Sequence, residues 1–566
     1  MKLSRRDIIK AGLLGGCGLT LLSKLPRKKL VNFSESLYYK APNIMAKTIS
    51  APNYLDVITL IGLPEDQQLM FVSLQGIVNK TQPRIYVLQD DQEGRLTWLN
   101  DLNIAHRFWS SPWEMLPFYI QYVKGAVIWD PKVPDSINVA TNLASLHDFV
   151  IISPELINAV SQMGKINNFL DLRNQFFSSD QLYQWASETI WPYCNSSFLF
   201  GVSPLEPAGA PPVIQQEFFG QLFPQFPQSE LPSADTPNGF LRDFAIVTNG
   251  ICFSFNPTSF YQQRLFNTLT KKVRGSGAYL GWFPLGALGG EDSGVQLLSQ
   301  QAIAVFASDF FSNMSVFWAV NATLNPQQQV SYTGSYQNKI YVTFTFTDGD
   351  NLQYDQHRMR QIWDDPNRGL YPTNWTISPS LAIFSPFMMA YYLNTKTPND
   401  LLIAGPSGNG YCYPNLWPFE LLPNYLTGSV ELMNLSGLSI VNILNRINGV
   451  SQPLSPQVGS LYDSVIAPQG VFLNWDGTQS QYILGKSTPA IDGALVSSVS
   501  GALNYLGALE KFFYNGSKPV FASIGLSAFE MTPSDLVTIV KNLNPDVFVT
   551  VRGDLFFYYL RQYLNI

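Results

Sequence analysis

The chain has 566 residues, 46% of them hydrophobic and only 13% charged, so it exceeds one ordinary core and is too apolar to be disordered. Aromatic residues reach 14%, and a surface rich in rings but short of charge suits neutral ligands. The first 29 residues hold eight Lys/Arg and one acid, which leaves the rest at −13 within an overall −6; an acidic body without a basic aromatic motif excludes nucleic acid as the expected partner.

Ser4-Arg5-Arg6-Asp7-Ile8-Ile9-Lys10 leads into the apolar run Ala11–Leu22. That run falls short of the roughly 20 residues that span a bilayer as a helix. The pattern over residues 1–29 resembles a twin-arginine export signal, so an exported, extracytoplasmic protein is expected. Leu14-Gly15-Gly16-Cys17 resembles a lipoprotein cleavage box, although the apolar run continues past the cysteine. A lipid on Cys17 would be the sole membrane attachment. Residues 30–50 read as a tether.

The remaining cysteines, Cys194, Cys252 and Cys412, cannot all pair and contain no C-x-x-C spacing. Three histidines, His106, His147 and His357, form no H-x-x-x-H. No zinc site and no cofactor is therefore expected.

Val57–Leu60 reads as a strand. Pro64, Glu65 and Asp66 then suit a helix start, and Met70, Leu74, Ile77 and Val78 form one apolar stripe. Ile85–Leu88 is the next strand, and strand–helix–strand over ~30 residues is the βαβ pattern of a parallel sheet. Residues 126–129 and 149–152 continue the alternation. These elements predict one or more N-terminal α/β domains over 51–240, ending in a Pro-rich connector over 204–237.

From 244 to 566 the alternation is sustained. Strands are predicted at 245–253, 278–283, 340–346, 375–377, 401–403, 438–443, 471–473, 520–524 and 547–551, with helices such as 258–272 and 533–542 between them. This predicts a (β/α) barrel-like C-terminal domain, regular or irregular, with a second doubly wound sheet as the rival.

Two segments lie at predicted strand ends, where parallel α/β barrels place their sites. Thr347-Asp348-Gly349-Asp350-Asn351 follows strand 340–346, and Gly408-Asn409-Gly410-Tyr411-Cys412-Tyr413-Pro414 follows strand 401–403. Asp348 and Asp350 would lie on the side of Phe344 and Phe346 if the strand continued, but Gly349 permits a break. Paired carboxyls at strand ends can do acid–base or nucleophilic work, and Glu291, Asp292, Asp476, Glu530 and Asp554 are further candidates. A backbone-satisfying turn or a divalent-cation site are other readings of Asp348–Asn351. Tyr411 and Tyr413 could grip a sugar ring, with Trp417 widening the platform.

The segment Gly408–Pro414 fits G-x-G-Y-x-Y-P at each fixed position, and Asp348–Asn351 resembles the S/T-D-G-D-N stretch of the same family. Gly281-Trp282 with Glu291, Ala307-Ser308-Asp309, and Leu63–Gln67 with Leu74–Asn79 are similar to it too. The chain thus resembles the GxGYxYP putative glycoside hydrolase family. The resemblance implies a hydrolase of an extracytoplasmic glycan or oligosaccharide. Asp348, Asp350 and Glu291 are the catalytic candidates. Asn351, Gly408, Gly410, Tyr411, Tyr413, Trp417 and Asp476 are the substrate-binding ones. A non-catalytic carbohydrate-binding surface protein and a metal-dependent sugar-active enzyme are the alternatives.

Overall fold

A computed structural model describes residues 49–89, 95–206, 236–255, 260–273, 277–283 and 290–566. The expected export signal, Cys17, nearly all of the tether and most of the Pro-rich connector lie outside the described residues. The N-terminal part begins as predicted. Strand Leu55–Thr59 is followed by helix Glu65–Val78, which starts after Pro64 with Glu65 and Asp66 in its first turn. Those acids favour the positive helix end. Strand Ile85–Leu88 then pairs parallel to the first, and His106–Phe108 takes the other side. A second three-stranded parallel sheet has Gly125–Ile128 at its centre, between Phe149–Ile152 and Phe169–Asp171.

The stretch expected as strand 245–253 is instead helix Arg242–Thr248 followed by strand Gly250–Phe253. The helix is buried nearly all round, so it lacks the polar stripe that betrays a surface helix. Asn249, at φ 54°, turns the chain out of it. It packs against helix Glu65–Val78 at Gly76, where a Cβ would sit 2.8 Å from Ile246 Cβ.

The domain boundary at 244 also needs correction. Strand Gly250–Phe253 pairs with Asn195–Gly201, which pairs on its other side with Ala278–Gly281, and that with Ala304–Phe306. These four parallel strands form a sheet of their own, separate from the C-terminal one. The sheet that opens the C-terminal domain starts only at Ile340.

In that C-terminal sheet, Ile340–Phe346, Thr373–Ile377, Asp400–Ala404, Ile440–Ile443 and Gly470–Leu473 run parallel in sequence order. Thr488–Asp492 then pairs with Gly470–Leu473, whereas Ala494–Val496 pairs with Val520–Leu526, itself the neighbour of Ile340–Phe346. The bend between the two segments falls at Gly493, over which Trp475 lies; a Cβ there would be 2.1 Å from its ring. Phe548–Thr550 pairs with the first half of Ile340–Phe346. A TIM barrel would instead close its eighth strand between the seventh and the first. The result is a curled, barrel-like sheet, parallel except for the edge strand Gln481–Leu484, which pairs antiparallel with Thr488–Asp492, and its strand order departs from that pattern.

Side chains alternate across it as the pleat requires. Val342, Phe344 and Phe346 join the large core under the helices. Tyr341, Leu401, Ile403, Phe472 and Phe521 form a second core with Phe556, Phe557 and Leu560 of helix Gly553–Leu564. Fully burying each large apolar side chain contributes about 1.5–3 kcal/mol, so this last helix is firmly seated. Among the described residues, no helix is long and apolar enough to cross a membrane.

Candidate functional site

Strand Ile340–Phe346 is buried along its whole length, and Asp348 ends the pleat with φ at +73°. The Gly349 amide donates to Thr376 Oγ1 at 2.9 Å. A Cβ on Gly349 would lie 1.9 Å from the Thr376 carbonyl oxygen. Only glycine lets this loop lie so tightly on the neighbouring strand end. Thr347 Oγ1 donates to Asp348 Oδ2 at 2.6 Å. Asn351 caps helix Leu352–Gln356, its Oδ1 accepting from the Tyr354 amide at 3.1 Å, so the side-chain oxygen expected to meet substrate is engaged by backbone.

The glycine–tyrosine segment spans two sheets. Ser407 and Gly408 take φ values of 69° and 146°, which turn the chain away from strand Asp400–Ala404. Tyr425 OH donates to the Gly410 carbonyl at 2.7 Å, and the Asn409 amide donates to Ser429 Oγ at 3.0 Å. Tyr411 then bridges antiparallel to Val305, with both backbone bonds at 2.9 Å. Gly410 allows this approach, since a Cβ would stand 2.7 Å from the Phe306 ring. The Tyr413 amide donates to Ser299 Oγ at 2.9 Å. Thus the motif clamps the C-terminal domain onto strand Ala304–Phe306 and the helix Gly290–Gln300 before it.

That helix carries Glu291 and Asp292 in its first turn. Tyr411 OH donates to Glu291 Oε1 at 3.0 Å, and Tyr413 OH to Asp292 Oδ1 at 2.9 Å. Arg446 Nη1 also reaches Asp292 Oδ1, at 3.0 Å, from the short strand Arg446–Ile447 that follows strand Ile440–Ile443. The Leu352 amide donates to the Ala307 carbonyl at 2.8 Å, which brings the end of strand Ala304–Phe306 against the Asp348–Asn351 loop.

The carboxyls feel one another. Burial pushes Glu291 above the usual range, and the charges of Asp292 and Asp348 add to this; the Tyr411 bond and Arg446 oppose it. Burial raises Asp350 well above its ordinary value, with Asp348 and Glu291 adding repulsion. Asp348 is raised by burial and by Glu530, and lowered by the Thr347 bond. Such a set holds protons at pH values where isolated carboxyls lose them. Asp348, Asp350, Glu291 and Asp292 each keep partial solvent access.

The structure therefore brings Asp348, Asp350, Glu291, Tyr411 and Tyr413 together. The tyrosine rings, however, are 2% and 1% exposed, so their hydroxyls, not their faces, point into the cluster. Trp417 is a correction: it is buried against Tyr425, ring centroids 4.6 Å apart, and widens no platform. Asp476 is exposed, and its Oδ1 accepts from the Thr478 amide in a tight turn at 3.0 Å. Gly408 and Gly410 act through backbone geometry. Sequence reasoning passed over Arg446, although it is the one basic residue following strand Ile440–Ile443. Among the described residues, no group of three or more His, Cys, Asp or Glu is placed to hold a metal ion.

Fold and cluster together define a multidomain α/β protein that gathers carboxyl groups from two sheets at their strand ends. The chain belongs to the GxGYxYP putative glycoside hydrolase family: its first N-terminal domain matches residues 54–116, the second 123–194, the third 229–318, and the C-terminal domain 338–561. The crystal structure of a putative hydrolase from Bacteroides thetaiotaomicron VPI-5482 shares the fold, with a TM-score of 0.75 at 19% identity, over 92% of this chain and 96% of that one. A putative polysaccharide deacetylase from Mycobacterium smegmatis aligns with a TM-score of 0.29 at 10% identity, over 42% of this chain and 96% of that one, a likeness that carries no argument. No curated protein matches the sequence.

Proposed function

We propose that the protein is a glycoside hydrolase acting on an extracytoplasmic glycan, with Glu291 on one side of the scissile bond and the Asp348/Asp350 pair on the other. The observation that carries this reading is the junction of two domains at which the Tyr411 hydroxyl donates to Glu291 at 3.0 Å and the Leu352 amide, beside the Asp348–Asn351 loop, donates to the Ala307 carbonyl at 2.8 Å. Hydrolysis of a glycosidic bond requires one carboxyl that gives a proton and a second that acts as base or nucleophile. Groups with unequal environments suit that division. Here Glu291 is tied to a tyrosine hydroxyl, whereas Asp350 stands beside other acids. The tyrosines act by orienting Glu291 and Asp292, while Arg446 balances the charge of Asp292.

A panel of chromogenic glycosides and polysaccharides tests this, run on the wild type beside Glu291→Gln, Asp348→Asn and Asp350→Asn. Turnover that falls by roughly 10²–10⁴-fold in Glu291→Gln and in at least one aspartate variant supports it. Turnover untouched by all three substitutions removes these residues from the mechanism. Binding without turnover across the panel favours the carbohydrate-binding alternative.

A further inference from the structure

The aromatic faces expected to hold a sugar are closed: the rings of Tyr411 and Tyr413 are buried, and Trp417 packs on Tyr425. Trp475 is different. It stands just past strand Gly470–Leu473, at the strand ends of the C-terminal sheet, and is only half-buried. Asn474 and Trp475 both take left-handed backbone, with φ at 47° and 89°. A bulky side chain adopts that conformation at a cost, and such residues concentrate where ligands are held.

Bonds on both sides keep that turn. The Trp475 amide donates to the Leu473 carbonyl at 2.9 Å, closing a tight turn about Asn474. Asn474 Oδ1 accepts from the Asn445 amide at 2.9 Å, and its Nδ2 donates to the Gln452 carbonyl at 3.0 Å. Past the ring, Asp476 bridges antiparallel to Ala494. The benzo edge of the indole is wedged against two glycines: a Cβ on Gly493 would lie 2.1 Å from its Cε3, and one on Gly525 3.0 Å from it. The opposite edge carries Nε1. Among the described residues no acceptor meets that nitrogen, and it is not buried. With one edge clamped and the other open to solvent, the indole presents an apolar ring and a free donor together.

The wedge sits one strand from the carboxyls. Gly525 is the register partner of Thr345, and the Leu526 carbonyl accepts from the Thr347 amide at 3.2 Å. Thr347 Oγ1 in turn holds Asp348. Trp475 lies on the threonine side of strand Ile340–Phe346, because it packs with Tyr341 and Phe521 while Val342, Phe344 and Phe346 face the other core. With ~4.8 Å between strands and ~3.3 Å per residue, Asp348 is roughly 10 Å from Gly525, within reach of a short oligosaccharide. The acids gathered there repel an anionic sugar. We propose that Trp475 is the stacking residue of a sugar subsite beside the Asp348 loop, its ring meeting the C–H face of a neutral pyranose and its Nε1 donating to a sugar hydroxyl. The proposal rests on the hydrolase reading for the class of ligand; the contact itself is measurable without turnover.

The test is protection of Trp475 from oxidation in the full chain. Limiting N-bromosuccinimide oxidises accessible indoles, and peptide mass spectrometry reads Trp475 separately, with the buried Trp363 and Trp375 as unreactive references. Trp475 is expected to be oxidised in the free protein. Cello-, malto-, xylo-, manno- and chito-oligosaccharides are the probes, and at least one is expected to slow that oxidation severalfold, in wild type and in Glu291→Gln alike. For that sugar, Trp475→Ala is expected to weaken binding roughly tenfold. Trp475→Phe keeps a ring against the glycines and should lose less, with a denaturation midpoint near wild type. Where a sugar turns over, the loss should appear in KM and leave kcat in place. A Trp475 that stays unoxidised in the free protein, or that no sugar of the panel protects, would overturn the proposal, as would an unchanged KM in Trp475→Ala. Turnover without protection removes the subsite and leaves the hydrolase reading standing; protection without turnover does the reverse.

Discussion

Replacing Tyr411 with Phe isolates one hydroxyl at the centre of the site. That hydroxyl lies 3.0 Å from Glu291 Oε1, on a ring only 2% exposed. Removing a part-buried hydrogen bond of this kind costs about 0.5–1.5 kcal/mol, since Glu291 keeps partial solvent access. The bond also draws Glu291 toward its charged form against burial, so its loss raises Glu291 further. Urea unfolding is expected to show a stability loss of about 0.5–1.5 kcal/mol at pH 7. The acidic limb of the pH–rate profile is expected to move to higher pH, because Glu291 then ionises later. Tyr413→Phe is the control: its partner Asp292 keeps Arg446 at 3.0 Å, so the loss should be smaller. Equal losses in both variants, or an unmoved acidic limb in Tyr411→Phe, would refute the assignment of Tyr411 as the group that orients and charges Glu291.

Two further substitutions test the scaffold. Gly349→Ala places a methyl 1.9 Å from the Thr376 carbonyl oxygen; the backbone must shift, costing about 1–3 kcal/mol, and activity should fall more than calorimetric stability because Asp348 and Asp350 flank the glycine. Arg368→Ala strips the partner from Asp400, which is 0% exposed and otherwise held by Trp375 Nε1 at 3.0 Å and the Thr397 amide at 2.8 Å. Breaking such a buried pair costs about 3–5 kcal/mol, readable as a lower denaturation midpoint, while rate constants at low temperature stay near wild type.

Much of the architecture was legible in residue pattern alone. Strand 340–346 has the boundaries that alternating Thr and Phe implied, and Pro64 opens its helix where an N-terminal proline belongs. What pattern does not carry is pairing. Strands at 250 and 278 look like barrel strands because any buried parallel strand reads as a short apolar run; only their partner, Asn195–Gly201, assigns them to another sheet. Residues 245–248, the second half of helix Arg242–Thr248, read as strand for a related reason, since a helix buried nearly all round shows no helical period. At the site, the motif glycines announced close backbone approach, and Gly410 against Phe306 supplies it. The role of the tyrosines was inverted, because burial of a ring depends on contacts from the distant helix Gly290–Gln300.

The most direct test of the account compares Asp350→Asn with wild type on two glycosides of the same sugar that differ only in leaving group. With a poor leaving group, which needs protonation, kcat/KM is expected to fall by roughly 10²–10⁴-fold. With an activated aryl leaving group, which departs unprotonated, the variant should come close to wild type. An equally large loss on both substrates would contradict a proton-donating Asp350, and no loss on either would take it out of the chemistry.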